Sequence, residues 1–179
     1  LRYVSQALGA LGHDVTVISG PPYPDLVEGI ALVKLPSFDL YARDLWSVGR
    51  AELRDPLGRK EWLSKLTGGF AEPWTFGERA RDWLLAHADH FEVVHDNQTL
   101  ADGILDLQRA GLPVVTTIHH PITRDLRVAL AGESRWWWRL MIRRWHTFLK
   151  MQARVAGQLR HIATLPTGPD ADIGTDFGV

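Results

Sequence analysis

Apolar positions along this chain switch repeatedly between helical and strand spacing, and the switches mark its elements. Leu1, Val4, Ala7, Leu8 and Leu11 lie on one helical face, and Gly12 stands where a left-handed cap belongs. Val15–Ile18 then forms a β-branched run that predicts a strand, and Gly20-Pro21-Pro22-Tyr23-Pro24 makes a stiff loop at its carboxyl end. A second strand is expected over 30–35. A helix over 73–88 follows, with Phe76, Ala80, Trp83, Leu84 and Ala88 on one stripe. Glu92-Val93-Val94 reads as a third strand. Leu100, Ile104, Leu105, Leu107 and Ala110 recur at helical spacing until Gly111, and Pro113–Ile118 is a fourth strand. A turn and short helix are expected over 121–132, a long helix over 134–159, a fifth strand over 161–165, and a last helix from Ala171 to Phe177. Strands alternating with helices predict an α/β fold, a three-layer parallel sheet flanked by helices.

The stretch 36–69 keeps no period and mixes Tyr41, Trp46 and Trp62 with charged residues. Short helices are expected near 43–48 and 59–66. The stretch reads either as an excursion packed by its own aromatics or as an acceptor-recognition flap. The first helix needs a surface to pack on. A parallel strand and turn ahead of Leu1 would supply it, and a Gly-rich phosphate loop would sit at that same place.

Composition narrows the class. The chain has 179 residues, 45% of them hydrophobic, enough for one domain with a core of its own. It contains no cysteine, which excludes disulfides and thiolate metal sites and is compatible with a cytoplasmic setting. A net charge of -1 gives no global field for nucleic acid. No apolar run is long enough to span a bilayer.

Candidate chemistry gathers at two strand ends. His95, Asp96 and Asn97 follow the third strand, and His119 and His120 follow the fourth. In open α/β sheets ligands bind outside the carboxyl ends of the strands. Imidazole, carboxylate and carboxamide together suit a hydroxyl-rich substrate, and imidazole also moves protons near neutral pH. Blander roles compete: Asp96 or Asn97 as a helix cap, or a histidine bonded to a carbonyl. A metallohydrolase built on His95, Asp96 and His119 is a third option. Against it, adjacent histidines point apart, and neither H-x-x-x-H nor H-E-x-x-H spacing occurs.

The long helix is the second unusual feature. It opens with Arg135-Trp136-Trp137-Trp138-Arg139 in a chain that holds 8 tryptophans. Trp138, Met141, Ile142, Trp145, Leu149, Gln152, Val155, Ala156 and Leu159 form a core-type stripe. Arg139, Arg143, Lys150 and Arg154 lie opposite, and no acidic residue occurs between Glu133 and Asp170. The helix either covers the sheet with a solvated basic face, or meets anionic lipid through Arg139, Arg143 and Lys150 at the periphery of a membrane. A non-catalytic binding or membrane-docking domain that works through 135–159 is therefore the alternative to an enzyme.

With these residues on the page, the chain resembles the N-terminal half of a GT-B glycosyltransferase of family 4. Leu8–Ile18 is similar to that family's first helix and second strand. Val93-Val94-His95-Asp96-Asn97 resembles its strand ending in His. Gly111–His119 resembles the next strand with its terminal T-x-H, and Ala171–Val179 resembles the helix before the interdomain linker. The resemblance implies a Rossmann-like domain on the acceptor side of a retaining transferase. Such an enzyme uses a nucleotide-sugar donor and neither cofactor nor metal. It implies a catalytic His119 near the transferred sugar, with His95, Asp96, Asn97, Thr117 and His120 binding substrate. It also implies that a first strand and a C-terminal donor-binding domain are missing from 1–179, so that this stretch alone is inactive. The turn Leu165-Pro166-Thr167-Gly168-Pro169 departs from the family's serine-rich form.

Overall fold

The structure, a computed structural model, describes residues 2–40, 42–119 and 122–164. The helix expected at 171–177 and the turn at 165–169 lie outside the described residues. Among the described residues five strands pair in parallel and, apart from the direct step from the first strand to the second, alternate with helices in the expected order, which makes the chain an α/β, Rossmann-like domain.

Helix α1 (Arg2–Ala10) ends as its glycine demands. Gly12 has φ 90°, its N–H donates to the Gly9 carbonyl at 3.0 Å, and the His13 N–H donates to the Leu8 carbonyl at 3.2 Å. That pair of bonds is the Schellman closure, which needs a left-handed residue. The same closure ends α4 (Asp102–Arg109): Gly111 has φ 95°, and the Leu112 N–H donates to the Leu107 carbonyl. Both glycines release the chain into strands, β1 (Thr16–Ser19) and β4 (Val114–Ile118).

The strands form two ladders, where one sheet was expected. β1 pairs with β2 (Ala31–Lys34), while β4 lies between β3 (Val94–Asp96) and β5 (Ile162–Thr164). Among the described residues, β1 and β3 are not bonded to each other. β3 also begins two residues later than the apolar run suggests, so His95 and Asp96 lie within the strand.

The core lies under β4. Its Val114, Thr116 and Ile118 are buried, and α4 covers them with Ile104, Leu105 and Leu107. On one side, α4 crosses α3 (Glu72–Ala86) at a very close approach. A Cβ on Gly77 would meet the Ala101 methyl, and one on Gly103 would meet the Gly77 carbonyl. On the other side, Leu105 and Ile118 join Val155 and Ala156 in one apolar cluster. α1 is the exception to this packing. Its apolar stripe faces outward, with Val4 and Leu11 exposed, while Ser5 is buried and Gly9 sits against Ile30.

The stretch 36–69 is organised by a buried carboxylate. Glu61 on α2 (Pro56–Leu66) is 1% exposed and accepts four hydrogen bonds. The donors are the Thr75 hydroxyl at 2.6 Å, the Ser37 hydroxyl at 3.0 Å, the Phe38 N–H at 3.2 Å and the Arg79 guanidinium at 2.5 Å. Arg79 also reaches Asp55 at 2.7 Å, and Asp55 caps α2 by accepting from the Gly58 N–H. Packing onto α3, rather than aromatic self-packing alone, orders the excursion. Aromatic contact is nonetheless present, with Trp62 edge-on to Trp46 at 6.5 Å.

The single helix expected over 134–159 is broken. α5 (Ile122–Ala131) precedes α6 (Trp136–Trp145), a 3-10 turn spans His146–Phe148, and α7 (Leu149–Ala156) follows. The turn lets Trp145 stack on Phe70 at 4.8 Å while Phe148 meets the same ring edge-on at 5.4 Å. Only α7 lies over the core, with Leu149, Gln152, Val155 and Ala156 buried. The upper half of the predicted stripe stays wet: Trp138 and Met141 are exposed. Among the described residues, no helix is long and apolar enough to cross a membrane.

Candidate functional site

Parallel pairing sets the site. Val94 lies beside Val114, His95 beside Val115 and Asp96 beside Thr116. Side chains alternate across a strand, so the residues between buried Val114, Thr116 and Ile118 point to the opposite face. His95, Thr117 and His119 therefore share the face away from the core. Two diagonal bonds lock them. The His95 Nε2 lies 2.7 Å from the Thr117 hydroxyl, and the His119 Nε2 lies 2.6 Å from the Asn97 Oδ1. Each bond spans the two strand ends and uses Nε2, which leaves Nδ1 of each ring outside it.

The carboxamide oxygen of Asn97 only accepts, so the facing His119 nitrogen must carry a proton. In the neutral ring, Nδ1 is then a hydrogen-bond acceptor suited to a sugar hydroxyl. The Thr117 hydroxyl both donates and accepts, so it fixes the position of His95 without choosing its tautomer.

Asp96 occupies the other face. It is 4% exposed, and its two oxygens accept from the Thr99 N–H at 3.0 Å and the Leu100 N–H at 3.1 Å. Burial pushes its carboxyl above the usual range, and the bonds from Leu100 and Thr99 act against that shift. Asp96 is thus a loop anchor, beneath the site rather than in it. It does not cap α4, whose N-cap position is Ala101. A ligand set of His95, Asp96 and His119 fails on the same geometry, since strand alternation separates the carboxylate from both rings. Among the described residues, no group of three acidic or imidazole side chains could hold a metal ion.

The loop that Asp96 anchors carries a residue sequence reading does not find. Gln98 has φ 63° and accepts the His119 N–H on its side-chain oxygen at 2.6 Å. Leu100 has φ 51° while fully buried. Left-handed non-glycine residues cost of order 1–3 kcal/mol each and persist where surrounding contacts over-determine them. Here Asp96 holds the Leu100 N–H, and Gln152 on α7 donates to the Thr99 carbonyl at 3.1 Å. Neither conformation has a sequence signature. His120, expected among the substrate-binding residues, lies outside the described residues.

Known proteins agree with the resemblance read from the sequence. The sequence model of the family described as Glycosyltransferase Family 4 matches residues 1–161. An MMP alpha-(1->4)-mannosyltransferase of Mycolicibacterium hassiacum is 44% identical over 182 residues, a span that covers 100% of this chain. The match takes in 44% of that relative, so the chain spans less than half of its length. The order of strands and helices, the polar strand ends and these two matches lead to one conclusion: the chain belongs to glycosyltransferase family 4.

Proposed function

We propose that this chain is the acceptor-side, N-terminal domain of a retaining mannosyltransferase that draws its sugar from a nucleotide-sugar donor. The observation that carries the reading is the pair of imidazoles on one sheet face, His95 held by Thr117 and His119 held by Asn97. Mannose as the transferred sugar rests on the similarity to the mannosyltransferase of Mycolicibacterium hassiacum.

In this reading the bond between the anomeric carbon and the nucleotide diphosphate breaks. The acceptor hydroxyl forms the new glycosidic bond on the same face, and its proton leaves with the departing phosphate oxygen. His119 is the catalytic residue. Its Nδ1 accepts from a hydroxyl of the transferred sugar and holds the anomeric carbon in line while positive charge develops on the ring. Asn97 and Gln98 are positioning residues, one fixing the tautomer of His119 and the other its backbone. His95 and Thr117 bind the acceptor. No cofactor is required, because the diphosphate is itself a good leaving group.

Donor recognition belongs to a second domain, which makes residues 1–179 half of a cleft and inactive alone. The whole enzyme is cytoplasmic in this reading, where nucleotide sugars are made. The test offers mannosyl nucleotides and an α-mannoside acceptor to the full-length protein. The anomeric proton of the product is then read by NMR. Transfer with the donor's anomeric configuration retained is expected. An inverted product, or no transfer from any nucleotide sugar, contradicts the proposal.

A further inference from the structure

The α5–α6 hairpin exposes an apolar and basic surface that sugar transfer does not use. Trp136 is 76% exposed, Leu140 58% and Val128 65%, and Trp137, Trp138 and Met141 are also exposed. Single exposed apolar residues are ordinary on soluble proteins; six large ones on two consecutive short helices are not. Trp136, Leu140 and Arg143 fall at i, i+4 and i+7 of α6 and make one outward ridge. The opposite side is anchored where Trp145 stacks on Phe70, and Arg139, beside the ridge, donates to the carbonyls of Leu130 and Glu133. The helix is therefore fixed with its apolar ridge turned outward.

Charge accompanies the ridge. From Ser134 to Thr164 the chain carries Arg135, Arg139, Arg143, Arg144, Lys150, Arg154 and Arg160, and no acidic residue. Not all are available. Arg135 is paired with Glu133 at 2.8 Å, Arg139 is turned inward, and Arg154 is paired with Asp102. Arg143 and Lys150 are exposed, and among the described residues neither has an ion-pair partner.

We infer that the α5–α6 hairpin, together with the first turn of α7, docks on an anionic lipid surface, with Trp136, Leu140 and Val128 entering the headgroup boundary and Arg143 on α6 and Lys150 on α7 facing lipid phosphates. Indole rings and basic side chains on an amphipathic helix match that boundary. A saccharide fits less well. Sugar sites pair aromatic faces with free carboxylates or carboxamides, whereas the Glu133 carboxylate beside these rings is taken up by Arg135. Trp137 and Trp138 stack on each other at 4.8 Å with the Arg135 guanidinium over both, which takes up part of each ring.

The experiment is co-sedimentation of the full-length protein with vesicles of phosphatidylglycerol and phosphatidylcholine, beside vesicles of phosphatidylcholine alone. Binding to the anionic vesicles only is expected, weakening as salt rises. Each basic residue near such a surface is worth about a fivefold change in partition, so Arg143→Glu with Lys150→Glu should reduce binding by about 25-fold or more. Trp136→Ser with Leu140→Ser should also abolish binding, with an unchanged melting temperature. Absence from anionic vesicles at low salt overturns the inference. So does binding that the Trp136/Leu140 variant retains, because charge alone would then explain it. Quenching of tryptophan emission by soluble mannosides without lipid, lost in Trp136→Phe, would reassign the ridge to saccharide. None of these outcomes bears on transfer by His119.

Discussion

At the scale of single residues, strand alternation separates neighbours in sequence into different jobs. His95 and Asp96 are adjacent, yet the imidazole meets Thr117 on the open face while the carboxylate anchors a loop from within. The polar cluster was legible, as a run of His, Asp and Asn closing an apolar stretch. Which of its members face a ligand was not, because β3 runs on through His95 and Asp96 instead of ending before them, and alternation along a strand sends neighbours to opposite faces. Asp96 gives a test with a definite sign. Its carboxyl is raised in the fold, so the folded state binds the proton more tightly than the unfolded chain, whose value is about 3.9. The ionised form then costs stability as pH rises through that window. Thermal melts of the wild type and Asp96→Asn, which does not titrate, should show the wild type losing ground to the variant as pH rises above about 4. A difference in melting temperature that stays constant with pH contradicts the assignment.

At the scale of elements, the β-branched runs and the glycines after helices carried most of the information. Gly12 and Gly111 close their helices with the same pair of bonds, and each is followed by a strand. Three features were hidden. The break at His146–Phe148 leaves the apolar spacing intact, because Trp145 and Phe148 both face Phe70 across it. The separation of β1–β2 from β3–β4–β5 depends on pairing, which no local pattern encodes. Glu61 sits among Lys60, Trp62 and Lys65 and looks like a surface charge, yet it is buried at the junction of α2, α3 and the 37–38 turn. Removing one partner of a buried ion pair costs about 3–5 kcal/mol because the other charge is left uncompensated. Glu61→Ala should therefore lower the melting temperature by roughly 10 °C. The double variant Glu61→Met/Arg79→Met should recover much of that loss. A single variant that melts with the wild type would show that the carboxylate does not organise 36–69.

At the scale of the whole molecule, two surfaces divide the work. The open face at the ends of β3 and β4 offers oriented imidazoles, while the α5–α6 hairpin offers exposed indoles and the Arg143 guanidinium. α5 begins three residues after His119 in sequence. Family membership follows from the matches over 1–161 and over the full chain; the role of His119 is the central claim that rests on geometry. The measurement that reaches it most directly is steady-state transfer by the full-length protein carrying His119→Ala. The account predicts a fall in kcat of about 10²–10³-fold, the scale of losing one oriented polar group at the reacting centre, with the melting temperature unchanged. A variant that turns over at the wild-type rate would remove His119 from the mechanism and contradict the account.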